Sequence, residues 1–125
     1  MRGGGPMAEG ISEVFPLAMF VHGRRPEDLK LHVEQQDSII LVDSVINSGK
    51  SILEFISRVR ELHATIRIVV VANVVQDKFI SRQSAENLAS YGNISLVALR
   101  LSKNQFTGSG GSDTGNRLFN TTHLL

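Results

Sequence analysis

Three predominantly apolar segments of strand length, at 38–42, 66–74 and 94–99, are separated by segments with helical spacing, and that alternation leaves few folds open. Runs without polar alternation mark strands covered on both faces, as in parallel sheets. Between the first two runs Ile52, Phe55, Ile56, Val59 and Leu62 recur at intervals that place one apolar stripe on one face of a helix over 50–63. Between the second and third, Ser81 precedes an amphipathic segment containing Ala85 and Leu88, and Gly92 is placed to cap its carboxyl end. Strands alternating with helices require right-handed crossovers. The expectation is an α/β fold with a mostly parallel sheet flanked by helices on both sides.

The amino-terminal third is less regular. Residues 1–6 are glycine-rich and too permissive to order themselves. Residues 7–15 suit a short helix that Pro16 closes, 17–22 suit a strand, and the charged stretch 23–37 suits a surface connection. A length of 125 residues is that of one domain. Thirteen Lys and Arg against twelve Asp and Glu give a net charge of +1, so no long-range field points to nucleic acid or to a membrane surface. There are no cysteines, which removes disulfides and thiolate chemistry and fits a cytoplasmic protein. The most apolar run, 68–75, falls far short of the roughly 20 residues that span a bilayer. His22, His32, His63 and His123 lack metal-ligand spacing, and no protein-borne metal site is expected. Arg58, Arg60 and Arg67 suggest a solvated face.

In a parallel sheet covered by helices, ligands sit beyond the carboxyl ends of the strands. The stretch after the first buried run reads DSVINSGKS, an acid and a small-residue turn that open directly into a helix. The first-turn amides of a helix lack internal partners and carry the positive end of its dipole, so an anion is stabilised there. Ser48 and Ser51 add hydroxyls, Gly49 permits close backbone approach, and Lys50, unfavourable against an empty dipole, would be favourable beside a phosphate. Asp43 is placed to accept hydrogen bonds from ribose hydroxyls or to reach magnesium through water. Ser and Gly also serve as plain capping residues at such junctions, so these residues alone leave both readings open. A nucleoside-triphosphate P-loop, which shares the GKS ending, needs glycine where this chain has Ser44.

The segment LVDSVINSGKS resembles the phosphoribosyl pyrophosphate motif of type I phosphoribosyltransferases, with Ser44 in place of a second acid, as in the uracil-specific branch. Two further segments resemble that branch. Arg2 to Gly10, RGGGPMAEG, is similar to its R-A-G-x-x-M-x-[DE]-G stretch. Phe106 to Phe119, FTGSGGSDTGNRLF, is similar to its base-binding loop, with Gly110, Asp113, Gly115, Arg117, Leu118 and Phe119 matching by position. Ser109 and Ser112 depart from the family's proline and glycine.

The resemblance implies a phosphoribosyltransferase-type, Rossmann-like fold in a single domain over 1–125, with 104–125 as base-binding loop and tail. It implies transfer of ribose 5-phosphate from phosphoribosyl pyrophosphate to uracil, giving uridine monophosphate (UMP) and pyrophosphate, with substrate-bound Mg2+. Carried over by position, the phosphate and ribose segment comprises Asp43, Ser44, Val45, Ile46, Asn47, Ser48, Gly49, Lys50 and Ser51. Within it Ser48 to Ser51 would hold the 5′-phosphate and Asp43 the ribose. Arg2 and Gly3 would lie on the pyrophosphate side. Backbone around Thr107 and Ser112 would read the base, with Phe106 in the place of the family tyrosine. Asp113 would stand near ribose and metal, joining Asp43 as a catalytic acid. The family is longer, so the expectation is that its amino-terminal part lies outside these residues. A homodimer is a further expectation. The rival function is a non-catalytic module that binds phosphoribosyl pyrophosphate or a nucleotide for regulation or assembly.

Overall fold

The computed structural model describes residues 4–103, apart from the side chains of Arg82, Ser84 and Ala85. The elements follow the order α1 (Gly5–Val14), β1 (Ser38–Ile46), α2 (Lys50–Leu62), β2 (Arg67–Gln76), α3 (Arg82–Tyr91) and β3 (Ile94–Ser102), with 3-10 turns at Pro26–Leu29 and Asp77–Ile80. The three strands form one parallel sheet in the order β1-β2-β3.

Register decides which residues share a face. Ile39 is level with Ile68 and Ile68 with Ile94, so Ile39, Leu41 and Asp43 lie on the face that also carries Val70, Ala72, Leu96 and Ala98. Crossovers of one hand between strands laid out in sequence order put both helices on the same face. Accordingly Ile52, Ile56 and Val59 of α2 and Leu88 and Tyr91 of α3 all join the cluster built on Leu41, Ile68, Val70 and Ala72. Among the described helices the opposite face meets α1, whose Met7, Ile11 and Val14 share a shallow groove with Val71, Val97 and Leu99. Helices flank the sheet on both sides, but unequally: Val97 is 51% and Leu99 82% exposed.

Several expectations need correction. Residues 17–22 form no strand. The amide of Ala18 bonds the carbonyl of Phe15 at 2.9 Å, so a turn carries the chain past Pro16, and the residues beyond pair with no strand among those described. An apolar run without a ladder partner is not a strand. Residues 4–6 are not a loose leader, because Gly4 is the N-cap of α1 and is buried, with Pro6 in the first turn where its missing N–H is harmless. The connection 23–37 is not wholly superficial, since Leu29 and Val33 are core residues. Each strand also runs further than its apolar stretch, because ladder bonds carry it through polar positions to Ile46, Gln76 and Ser102.

Arg60 is not part of a solvated face. Its guanidinium donates to the carbonyls of Ile66 (2.7 Å), Gly92 (2.6 Å), Tyr91 (3.1 Å) and Asn93 (3.4 Å), tying the end of α2 to the starts of β2 and β3. Burial draws its pKa below the usual arginine value, though a guanidinium stays charged. Arg58 pairs with Glu61 at 2.7 Å on the surface, and Arg67 is exposed. His63 packs locally, its Nδ1 accepting the amide of Ile66 at 3.0 Å.

Candidate functional site

The carboxyl end of β1 is where the residues expected to bind an anion meet. Strand β1 continues to Ile46, so Asp43 to Ile46 belong to the strand and the turn proper is Asn47–Gly49. Asp43 therefore sits inside the strand rather than at its end. Val45 and Ile46 extend the ladder beyond Asp43, with Ser44 in the strand between Asp43 and Val45, and the side chain of Ile46 is committed to the core, leaving only its backbone to any ligand.

Gly49 is the N-cap of α2 with φ of 78°, a left-handed conformation that glycine adopts without the penalty of a Cβ. It supplies no side-chain cap. Its carbonyl accepts the amide of Leu53 at 2.9 Å and so starts the helix. The amides of Lys50, Ser51 and Ile52 have no partners within the helix. Ser48 Oγ accepts that of Lys50 at 3.3 Å, a long bond that an incoming oxyanion can replace. Lys50 and Ser51 are exposed, and no acid occupies the first turn. The turn thus presents donors and a cation with no carboxylate of its own.

Asp43 is 5% exposed. Burial pushes its carboxyl above the usual range, an effect opposed by hydrogen bonds from the backbone amides of Ser44 and Val45. Asp43 and Ser51 both line a cavity of about 480 Å³ between α1, β1 and α2. Gly4 and Gly5 line it too. The start of α1 is pressed onto β1, since a Cβ on Gly4 would lie 2.8 Å from the carbonyl oxygen of Val42 and 3.3 Å from Cα of Asp43. That brings Gly4 next to Asp43; Arg2 and Gly3 lie outside the described residues.

Phe106, Thr107, Ser112 and Asp113 also lie outside the described residues, as does the whole of 104–125. The structure therefore brings together Asp43, the Asn47–Gly49 turn, Lys50 and Ser51. Sequence reasoning missed two contributors to the turn's surroundings, Gly4 and Phe79. The glycine run was a signal for the first. Nothing local signalled Phe79, whose ring stands against Gly49 across a separation of thirty residues in sequence.

Among the described residues no group of three or more His, Asp or Glu converges as a metal site. None of their helices is long and apolar enough to cross a membrane.

A three-stranded parallel sheet flanked by helices is consistent with a phosphoribosyltransferase-type α/β fold. The family model for uracil phosphoribosyltransferase matches residues 1–121, and the chain belongs to that family. No curated protein and no solved structure matches it.

Proposed function

We propose that this chain binds phosphoribosyl pyrophosphate and transfers its ribose 5-phosphate to uracil. The observation that carries the reading is the coincidence of the family match over 1–121 with the left-handed Gly49 turn and the buried Asp43. In this reading the amides of Lys50, Ser51 and Ile52 hold the 5′-phosphate, with Lys50 supplying a positive charge. Asp43 accepts hydrogen bonds from the ribose hydroxyls, which favour its charged form and so oppose the effect of its burial.

The reaction breaks the bond from C1′ to the pyrophosphate oxygen, and pyrophosphate leaves with the electron pair. N1 of uracil forms the new bond to C1′ and its proton passes to solvent, giving UMP. Holding the two reactants in line lowers the barrier by positioning. Magnesium fits here as a substrate-borne ion, because one carboxylate plus phosphate oxygens is its usual environment and the described residues offer no protein cage. It would neutralise pyrophosphate charge. Phe106, Thr107, Ser112 and Asp113 are proposed as the base side of the site, and Arg2 and Gly3 as the pyrophosphate side.

The test is calorimetry with UMP and uridine, together with an assay of UMP formation from labelled uracil and phosphoribosyl pyrophosphate. The expected result is binding of UMP at least about tenfold tighter than uridine, because the phosphate supplies charge-assisted bonds each worth roughly 1.5–3 kcal/mol, and turnover of uracil. Equal affinities would remove the phosphate site. Tight binding without turnover would identify a nucleotide-binding regulatory or assembly module instead.

A further inference from the structure

Phe79 is an anomaly in its segment. It lies in the 3-10 turn Asp77–Ile80 between β2 and α3, where Asp77, Lys78 and Ile80 are exposed, yet it is only 1% exposed itself. Register explains where it points. Ile46, the last residue of β1, is level with Val75, so the residues following Gln76 run alongside Asn47–Gly49. A Cβ built on Gly49 would overlap Cδ2 and Cε2 of the Phe79 ring and lie 3.2 Å from Cζ. The ring thus fills the volume that any side chain at Gly49 would need.

We propose that Phe79 is a positioning residue of the phosphate turn, its ring holding Gly49 in the left-handed conformation that aims the amides of Lys50, Ser51 and Ile52 at one point. This rests on the reading of that turn as the 5′-phosphate site. The physical argument is that a glycine with positive φ has many alternatives of similar energy and needs an outside constraint to stay in one. A buried, rigid ring in van der Waals contact supplies that constraint, as side chains around a functional group do when they lock its geometry. The glycine and the phenylalanine are complementary: one must have no side chain because the other occupies its place. The connection after β2 thereby becomes part of the site without touching ligand.

The test separates positioning from stability by the ratio of UMP to uridine affinity, which loss of folded protein alone does not change. Phe79→Leu keeps an apolar core residue but removes the flat ring, and its fold is checked by circular dichroism. We expect the ratio to fall about tenfold or more, a size in keeping with small misplacements of aligned groups. Phe79→Tyr, which retains the ring plane, should restore most of it. A second measurement compares the thermal shift caused by Gly49→Ala in the parent with that in Phe79→Leu. A smaller shift in the leucine background is expected, because the overlapping ring is gone. If the parent favours UMP but Phe79→Leu keeps the full ratio, the positioning role is wrong and the phosphate site stands. If the parent itself shows no preference, both readings fall.

Discussion

The two ends of the three-stranded sheet treat their polar groups in opposite ways. At the amino end of β2 and β3, Arg60 spends its guanidinium on four backbone carbonyls, and His63 takes the amide of Ile66. At the carboxyl end of β1, the amide of Lys50 in the first turn of α2 makes only a long 3.3 Å bond to Ser48 Oγ, and Asp43 is buried against its own preference for charge. One end is satisfied internally and contributes stability. The other holds a weakly engaged helix start and an acid whose burial is only partly offset by its own backbone amides, features suited to the phosphorylated sugar proposed for it.

The sharpest way to break this division is Gly49→Val. A β-branched residue in the left-handed region costs about 1–2 kcal/mol before any clash, and here its branches would also overlap the Phe79 ring. The expected outcome is a loss of UMP affinity of about 100-fold, with a lowered melting temperature. Calorimetry that finds the parent affinity in this variant would mean the anion site lies elsewhere.

At the opposite end, Arg60→Ala should lower unfolding free energy by about 2 kcal/mol in a denaturant titration, because several carbonyls lose a charged donor at once. Nucleotide affinity of the folded variant should stay within about twofold, since sites this well separated act nearly independently. A matching loss of affinity would show that the two ends are coupled and would overturn the division of labour.

The smallest expected effect sharpens the contrast rather than breaking it. Burial raises the pKa of Asp43 in the folded state. Its stability contribution is therefore complete below the unfolded carboxylate pKa and is lost as pH rises through the folded value. Asp43→Asn keeps the shape without the charge, so its advantage in melting temperature over the parent should open as pH is raised from acid to neutral. The same variant should bind phosphoribosyl pyrophosphate about tenfold more weakly, having exchanged a charged acceptor for a neutral one. Melting curves across that pH range, with no widening gap, would show that the carboxylate is not penalised.

The core helices were legible because their signals are local. The stripe Ile52, Ile56 and Val59 is buried where its spacing places it, and Gly92, with φ of 65°, ends α3 as a glycine cap should. The turn at Ser48 and Gly49 was legible for the same reason, since backbone conformation and helix start depend on neighbours in sequence. Residues 17–22 misled because apolar content says nothing about whether a partner edge is hydrogen-bonded. Arg60 misled because its partners, Tyr91 to Asn93, lie some thirty residues away in the chain.

The sequence by itself determined the α/β alternation, the glycine turn that opens α2 and the family, all of which rest on periodicity, small-residue chemistry and ordered motifs along the chain. Only the tertiary structure decided that both crossover helices cover one face and leave Val97 and Leu99 open on the other, that Gly4 lies against β1, and that Phe79 stands behind Gly49. Those are consequences of strand order and register, which set distances between residues far apart in sequence.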